Sequence, residues 1–99
     1  MSKIIELPSF YEDLTPHYLE KKKKELASLK TCFVEGDMDR IEKVAHKIAG
    51  SGGSYGLPEI SKMGKEMELA ASSGEVMKVK ELLEQFSTYL DDVEVVFKD

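Results

Sequence analysis

Residues 36–59 read Gly36-Asp37-Met38-Asp39-Arg40-Ile41-Glu42-Lys43-Val44-Ala45-His46-Lys47-Ile48-Ala49-Gly50-Ser51-Gly52-Gly53-Ser54-Tyr55-Gly56-Leu57-Pro58-Glu59. Gly36 is a helix stop and Asp37 an N-cap whose carboxylate can take a free N–H of the first turn. Ile41, Val44, Ala45 and Ile48 follow at helical spacing, giving one apolar stripe. The stripe runs into a glycine-rich stretch, and Leu57-Pro58-Glu59 marks a fresh helix start, because proline fits the first turn of a helix. The segment therefore predicts helix, glycine turn, helix.

The same punctuation divides the rest of the chain. Upstream, Thr15 as N-cap and Pro16 at the first helical position start a helix that runs to about Val34, with Leu19, Leu26, Leu29 and Phe33 on its stripe. Lys21 to Lys24 interrupts that stripe and reads as a solvated face whose stems lie over apolar neighbours. Before it, Ser9 and Glu12 form a capping-box pattern that predicts a short extra helix over Ser9–Leu14. Downstream, the helix beginning at Leu57-Pro58 carries Leu57, Ile60, Met63, Met67 and Ala70 or Ala71, and Gly74 closes it. A last helix from Glu75 to about Phe97 presents Val79, Leu82, Leu83, Phe86, Tyr89, Leu90, Val93 and Val96, the most regular amphipathic pattern in the chain. No stretch alternates at period two for long, and hairpin signals are missing. Four sizeable helices on short turns predict an all-α, up-down four-helix bundle with a short extra N-terminal helix, as one domain over residues 1–99.

Composition narrows the function. The chain has 99 residues, 14 Lys+Arg against 19 Asp+Glu, and a net charge of −5. That length suits one small domain. The acidic balance argues against nucleic-acid binding, which wants a basic face. No apolar run approaches the roughly 20 residues of a membrane-spanning helix. The start, Met1-Ser2-Lys3-Ile4-Ile5-Glu6, has too short an apolar run for a signal peptide. The lone Cys32 cannot form an internal disulfide, so a reducing, cytoplasmic setting is expected.

His46 faces the wrong way for a core residue. At about 100° per residue, Val44, Ala45, Ile48 and Gly52 fall within roughly 60° of Ile41, whereas His46 lies roughly 140° away. Its neighbours at helical spacing include Glu42, Lys43, Gly50 and Gly53. Gly50 and Gly53 clear a lane beside it, along which a flat surface of another protein can approach. Imidazole suits such a place: neutral near physiological pH, it can attack phosphorus, form a phosphoramidate and release the phosphoryl group again. Lys43 and Lys47 could screen the added negative charge.

Ala45-His46, Ile48, Gly50-Ser51 and Gly56, inside a helical chain of this length, resemble the signature of histidine-containing phosphotransfer (Hpt) domains. The resemblance covers most of the chain. It implies a helical bundle and a phosphocarrier in a two-component phosphorelay, not an enzyme. His46 would take a phosphoryl group, on Nε2, from an aspartyl phosphate of a response-regulator receiver domain and pass it to another receiver. A hybrid sensor kinase is a further expected partner. Lys43, Lys47, Gly50 and Gly53 would support the site. The Mg²⁺ and aspartates would belong to the receiver, so this chain is expected to bind no cofactor and no metal, to act as a monomer, and to meet neither nucleic acid nor membrane. One position departs from the pattern: the family's usual Lys, three residues after the histidine, is Ala49. Lys43 is better placed than Lys47 to stand in for it.

Other residues read plainly. His17 is an ordinary surface residue. Cys32 is a small, partly buried hydrophobe. Asp91 and Asp92 point in different directions on one helix and belong to a solvated face. Ser51-Gly52-Gly53-Ser54 lacks the strand and the Gly-Lys of a nucleotide loop. Two rival functions stay open at the sequence level: a non-phosphorylated helical module that binds receiver or kinase domains, and a histidine-nucleophile enzyme with its own apparatus.

Overall fold

A computed structural model describes residues 3–99. Strand β1 (Lys3–Pro8) leads through a 3₁₀ turn (Ser9–Tyr11) to helix α1 (Thr15–Glu35). Helix α2 (Met38–Ala49), a second 3₁₀ turn (Gly52–Tyr55) and helix α3 (Pro58–Ser72) follow. Helix α4 (Val76–Asp92) then runs directly into strand β2 (Val93–Lys98).

The four helices begin and end where local chemistry says they should. Gly36 adopts φ 74°, its N–H bonds Phe33 O, and the Asp37 N–H reaches back to Cys32 O at 2.9 Å. This left-handed closure satisfies carbonyls that the helix end would otherwise orphan. Asp37 Oδ1 accepts from the Arg40 N–H at 3.1 Å and caps α2. Gly74, at φ 71°, lets the Glu75 N–H close α3 on Ala70 O in the same way. α2 packs closely on α3, α3 on α4, and α1 closes the ring against α4 and α2. Leu29, Ile41, Ile48, Leu57, Ile60, Met67, Val79, Leu82 and Phe86 fill the centre, each at most 1% exposed.

Three expectations are corrected. The last helix stops at Asp92 instead of continuing to Phe97, and residues 93–98 form a strand. Val93, Val96 and Phe97 fit a helical stripe as well as a strand. What decides is a partner: β1 pairs with β2 in parallel, Lys3 opposite Val93 through Pro8 opposite Lys98. A ladder between β-branched residues then outcompetes one more helical turn. Ile5 and Leu7 of β1 share an inward face with Val93, Val95 and Phe97 of β2, whose burial alternates. A parallel pair needs a long crossover, and here the whole helical unit supplies it.

The expected helix over Ser9–Leu14 shrinks to the single 3₁₀ turn. Pro8 takes the cap position and the Ser9 side chain caps nothing. Thr15 is not a cap either. It lies inside α1, fully buried, and its hydroxyl donates to Tyr55 O at 3.1 Å.

The third correction concerns the lysine run. Lys21, Lys23 and Lys24 are exposed, but Lys22 is buried on the α1 stripe between Tyr18 and Leu26. Its ammonium pairs with Glu25 and lies 4.7 Å from the Tyr18 ring centroid. The aliphatic stem covers core while the charge finds a carboxylate and an aromatic face. Cys32 is buried, and His17 is exposed.

Candidate functional site

His46 stands near the C-terminal end of α2, and its side chain is 74% exposed. The helix around it obeys the stripe: Ile41, Ala45 and Ile48 are buried, and Lys43 and Lys47 are exposed. The imidazole is nevertheless held. Its Nδ1 lies 2.8 Å from Glu68 Oε2 on the neighbouring helix α3. Glu68 is itself only 17% exposed, and its other oxygen, Oε1, faces Lys65 Nζ at 3.7 Å without a hydrogen bond.

This contact sets the chemistry of the ring. A carboxylate only accepts, so Nδ1 carries the proton and donates it to Glu68. Nε2 is then the nitrogen with the free lone pair, on the opposite edge of an exposed ring. A charge-assisted bond of this length also fixes the ring plane.

Sequence reasoning missed Glu68, which sits 22 residues away. The available signal was Gly64, one turn earlier on α3. An interior glycine in a helix costs about 1 kcal/mol relative to Ala and marks a close approach. A Cβ there would lie 2.6 Å from Ala49 N and 3.0 Å from Ala45 O, so α3 rests directly on the α2 backbone on either side of His46.

Of the expected supporting residues, Lys43 and Lys47 line a shallow hollow with His46, Glu42 and Glu68. Among the described residues neither lysine is ion-paired, so both ammonium groups are available to an incoming anion. Gly50 and Gly53 are exposed and open. A Cβ on Gly50 would meet nothing nearer than its own helix carbonyls at 3.7 Å, and one on Gly53 only Ser61 Oγ at 4.0 Å. Gly52 points inward, where a Cβ would lie 2.5 Å from Ser61 N. Gly50 and Gly53 thus have space above them that folding does not require to be empty, whereas Gly52 and Gly56, whose Cβ would lie 2.8 Å from Leu7 Cδ2, are needed for packing. Ala49 is half-buried against α3.

The glycine stretch is tied down from α1. The Tyr18 and Ser51 hydroxyls lie 2.7 Å apart, and the Tyr18 ring stacks on Tyr55 at 4.3 Å. Burial pushes the Tyr18 phenol above its ordinary value. The hollow beside this contact is lined by His17, Tyr18, Lys21, Lys22, Lys47 and Ser51 among others. Lys47 borders both hollows.

Among the described residues no group of three His, Cys, Asp or Glu side chains could hold a metal ion. No helix among them is long and apolar enough to cross a membrane. The family model described as Hpt domain matches residues 11–95. Comparison with curated proteins returned no match, and neither did comparison with solved structures.

Proposed function

The chain belongs to the Hpt domain family, and from that premise we propose that His46 is the phosphoryl carrier of a multistep phosphorelay. The family works by histidine phosphotransfer with receiver domains. The finer reading is that one receiver's aspartyl phosphate donates to His46 and a second receiver's aspartate accepts. The observation that carries it is an exposed imidazole with Nδ1 engaged by Glu68, Nε2 free, and open glycines alongside.

The step balances simply. The Nε2 lone pair attacks phosphorus, the P–O bond to the donor aspartate breaks, and the carboxylate leaves with that electron pair. No proton need move: Nδ1–H stays on the ring, and the positive charge that develops there faces the Glu68 carboxylate. In the second transfer the acceptor carboxylate attacks, the P–N bond breaks, and His46 leaves as neutral imidazole. Lys43 and Lys47 attract the phosphoryl oxygens, with Lys43 in the role that the family's usual lysine, here Ala49, would fill. Gly50 and Gly53 admit the receiver's loops. The Mg²⁺ that assists this transfer is the receiver's, and this chain contributes none of its ligands.

The chain acts in this reading as a single domain over residues 1–99, a cytoplasmic monomer and not an enzyme in its own right. The helices form an up-down bundle, supported by their short connections and by the ring of packing that α1 closes against α4. A transient encounter suits such a carrier, because both transfers must release the partner.

The test is transfer from a panel of phosphorylated receivers. Wild type acquires an acid-labile, base-stable phosphate, and His46→Gln acquires none. Equal labelling of the two proteins overturns the assignment. No labelling from any receiver favours a non-phosphorylated interaction module instead. Incubation with ATP and Mg²⁺ alone labels nothing.

A further inference from the structure

We propose that Tyr18 is a positioning residue for phosphotransfer, its phenol latching the glycine turn that the receiver must meet; the inference rests on the carrier reading of His46. The hydrogen bonds run in one direction. Ser51 Oγ donates its only proton to Ile48 O at 3.3 Å, so at 2.7 Å the Tyr18 hydroxyl donates to Ser51 Oγ. Tyr18 is itself clamped: its ring stacks on Tyr55 within 12° of parallel, and the Lys22 ammonium sits 4.7 Å from its centroid. Lys22 is held in turn by Glu25, with its side chain only 5% exposed. One turn earlier on α1, Thr15 donates to Tyr55 O. Helix α1 therefore grips the glycine stretch at both ends, at Ser51 and at Tyr55.

The grip falls where backbone restraint is otherwise weakest. Four of the seven residues from Gly50 to Gly56 are glycines, which have no side chain to pack and carry the largest backbone freedom. Gly50 and Gly53 form the open lane next to His46. A receiver that docks there selects the ordered turn, and its apparent affinity falls with the fraction of molecules in which the turn is ordered. The His46 ring is held separately, by Glu68 from α3. Loss of the latch should therefore weaken docking and leave the chemical step alone. The buried Lys22 of the lysine run acquires a role in the same stroke, as the charge that seats the Tyr18 ring.

The experiment measures phosphoryl transfer from an excess of one phosphorylated receiver to wild type, Tyr18→Phe, Ser51→Ala and the double variant. Tyr18→Phe keeps the ring stack and removes only the donor. The expected result is a half-saturating receiver concentration raised about 3- to 10-fold, as for one internal hydrogen bond, with the limiting rate within about twofold of wild type. Ser51→Ala removes the same bond together with the Ser51–Ile48 bond and gives a shift at least as large, and the double variant is no worse than Ser51→Ala alone, because the Tyr18–Ser51 bond is already lost there. Amide hydrogen exchange across Gly50–Gly56 rises in Tyr18→Phe without any receiver. An unchanged half-saturation in Tyr18→Phe overturns the latch, as does a fall in limiting rate alone or additive effects of the two substitutions. A wild type that takes no phosphoryl group, or a His46→Gln that takes as much, sinks the carrier reading instead, and the two failures are told apart in one series.

Discussion

Gly64→Ala asks how tightly α3 must sit on α2 for His46 to be held. A Cβ at this position would lie 2.6 Å from Ala49 N, 2.9 Å from Ile48 Cγ2 and 3.0 Å from Ala45 O. Two of these atoms are α2 backbone and cannot rotate away. Ordinary contact needs about 3.5–4.0 Å, so the helices must part by roughly 1 Å. Two opposing terms decide the outcome. Alanine in a helix interior is worth about 1 kcal/mol over glycine. Overpacking of a closed seam costs about 1–3 kcal/mol, and parting the seam also loosens Ile48, Ile60 and Met67, each at most 1% exposed.

The net expectation is a loss of up to about 2 kcal/mol, or a fall in thermal midpoint of up to roughly 15 °C at about 4–8 °C per kcal/mol for a domain of this size. The functional effect is separate. Glu68 lies one turn beyond Gly64, and a 2.8 Å bond stretched by roughly 1 Å is no longer a hydrogen bond. Phosphotransfer should therefore fall even at temperatures where the variant is fully folded. Thermal denaturation followed by circular dichroism gives the first quantity, and receiver-to-His46 transfer well below the midpoint gives the second. A variant as stable as wild type, or more stable as propensity alone would have it, with unchanged transfer, refutes the argument that this glycine sets the seam.

Gly50→Ala separates folding from docking: a Cβ there meets ordinary contacts only, so stability should hold or rise by up to about 1 kcal/mol while transfer slows, and a variant with unimpaired transfer would show that the lane is not used. Glu68→Gln keeps a hydrogen-bond acceptor for Nδ1 but removes the charge; transfer should slow by roughly 10-fold, the difference between charged and neutral partners, and an unaltered rate would show that the carboxylate plays no part. Tyr89 should titrate late among the tyrosines, because burial and then the nearby Glu59 carboxylate push its phenol up to about 12. Its folded pKa lies above the unfolded value, so the stability it contributes is complete below about pH 10 and is lost as pH rises toward 12. Phenolate absorbance of wild type against Tyr89→Phe checks this, and an ordinary tyrosine titration would contradict it.

The helical part of the fold was legible because its signals are local. Gly36-Asp37, Leu57-Pro58 and Gly74 act through their own backbone conformations and through bonds spanning at most five residues, so they read the same way in a sequence as in a folded chain. The strands were not legible because neither is specified alone. Val93-Glu94-Val95-Val96-Phe97-Lys98 satisfies two periodicities, and the choice between them belongs to Lys3–Pro8, some ninety residues away. Lys22 failed for a related reason. A lysine on an apolar stripe reads as an interruption until Glu25 and the Tyr18 ring, both on the same helix, turn out to receive its charge.

The site divides along the same line. Whether His46 is exposed depends on helical phase within α2, and the stripe of Ile41, Ala45 and Ile48 settles that phase by itself. What holds the imidazole depends on how α3 is seated against α2, and no spacing within α2 contains that information. The departure at Ala49 shows why this matters. Ala49 is half-buried with its backbone nitrogen against Gly64, so a long cationic side chain would have to leave from the edge of the close α2–α3 seam. Phosphoryl charge must then be met from the open side of the helix, where Lys43 and Lys47 stand without ion-pair partners among the described residues. If that division of labour is right, Lys43→Ala should weaken transfer more than Lys47→Ala in the limiting rate, because Lys43 lies on the helical row of His46 and Lys47 on the adjacent one. A limiting rate unchanged in both variants would place both lysines in docking, and would leave Glu68, through the imidazole, as the only charge that this chain brings to the transfer step.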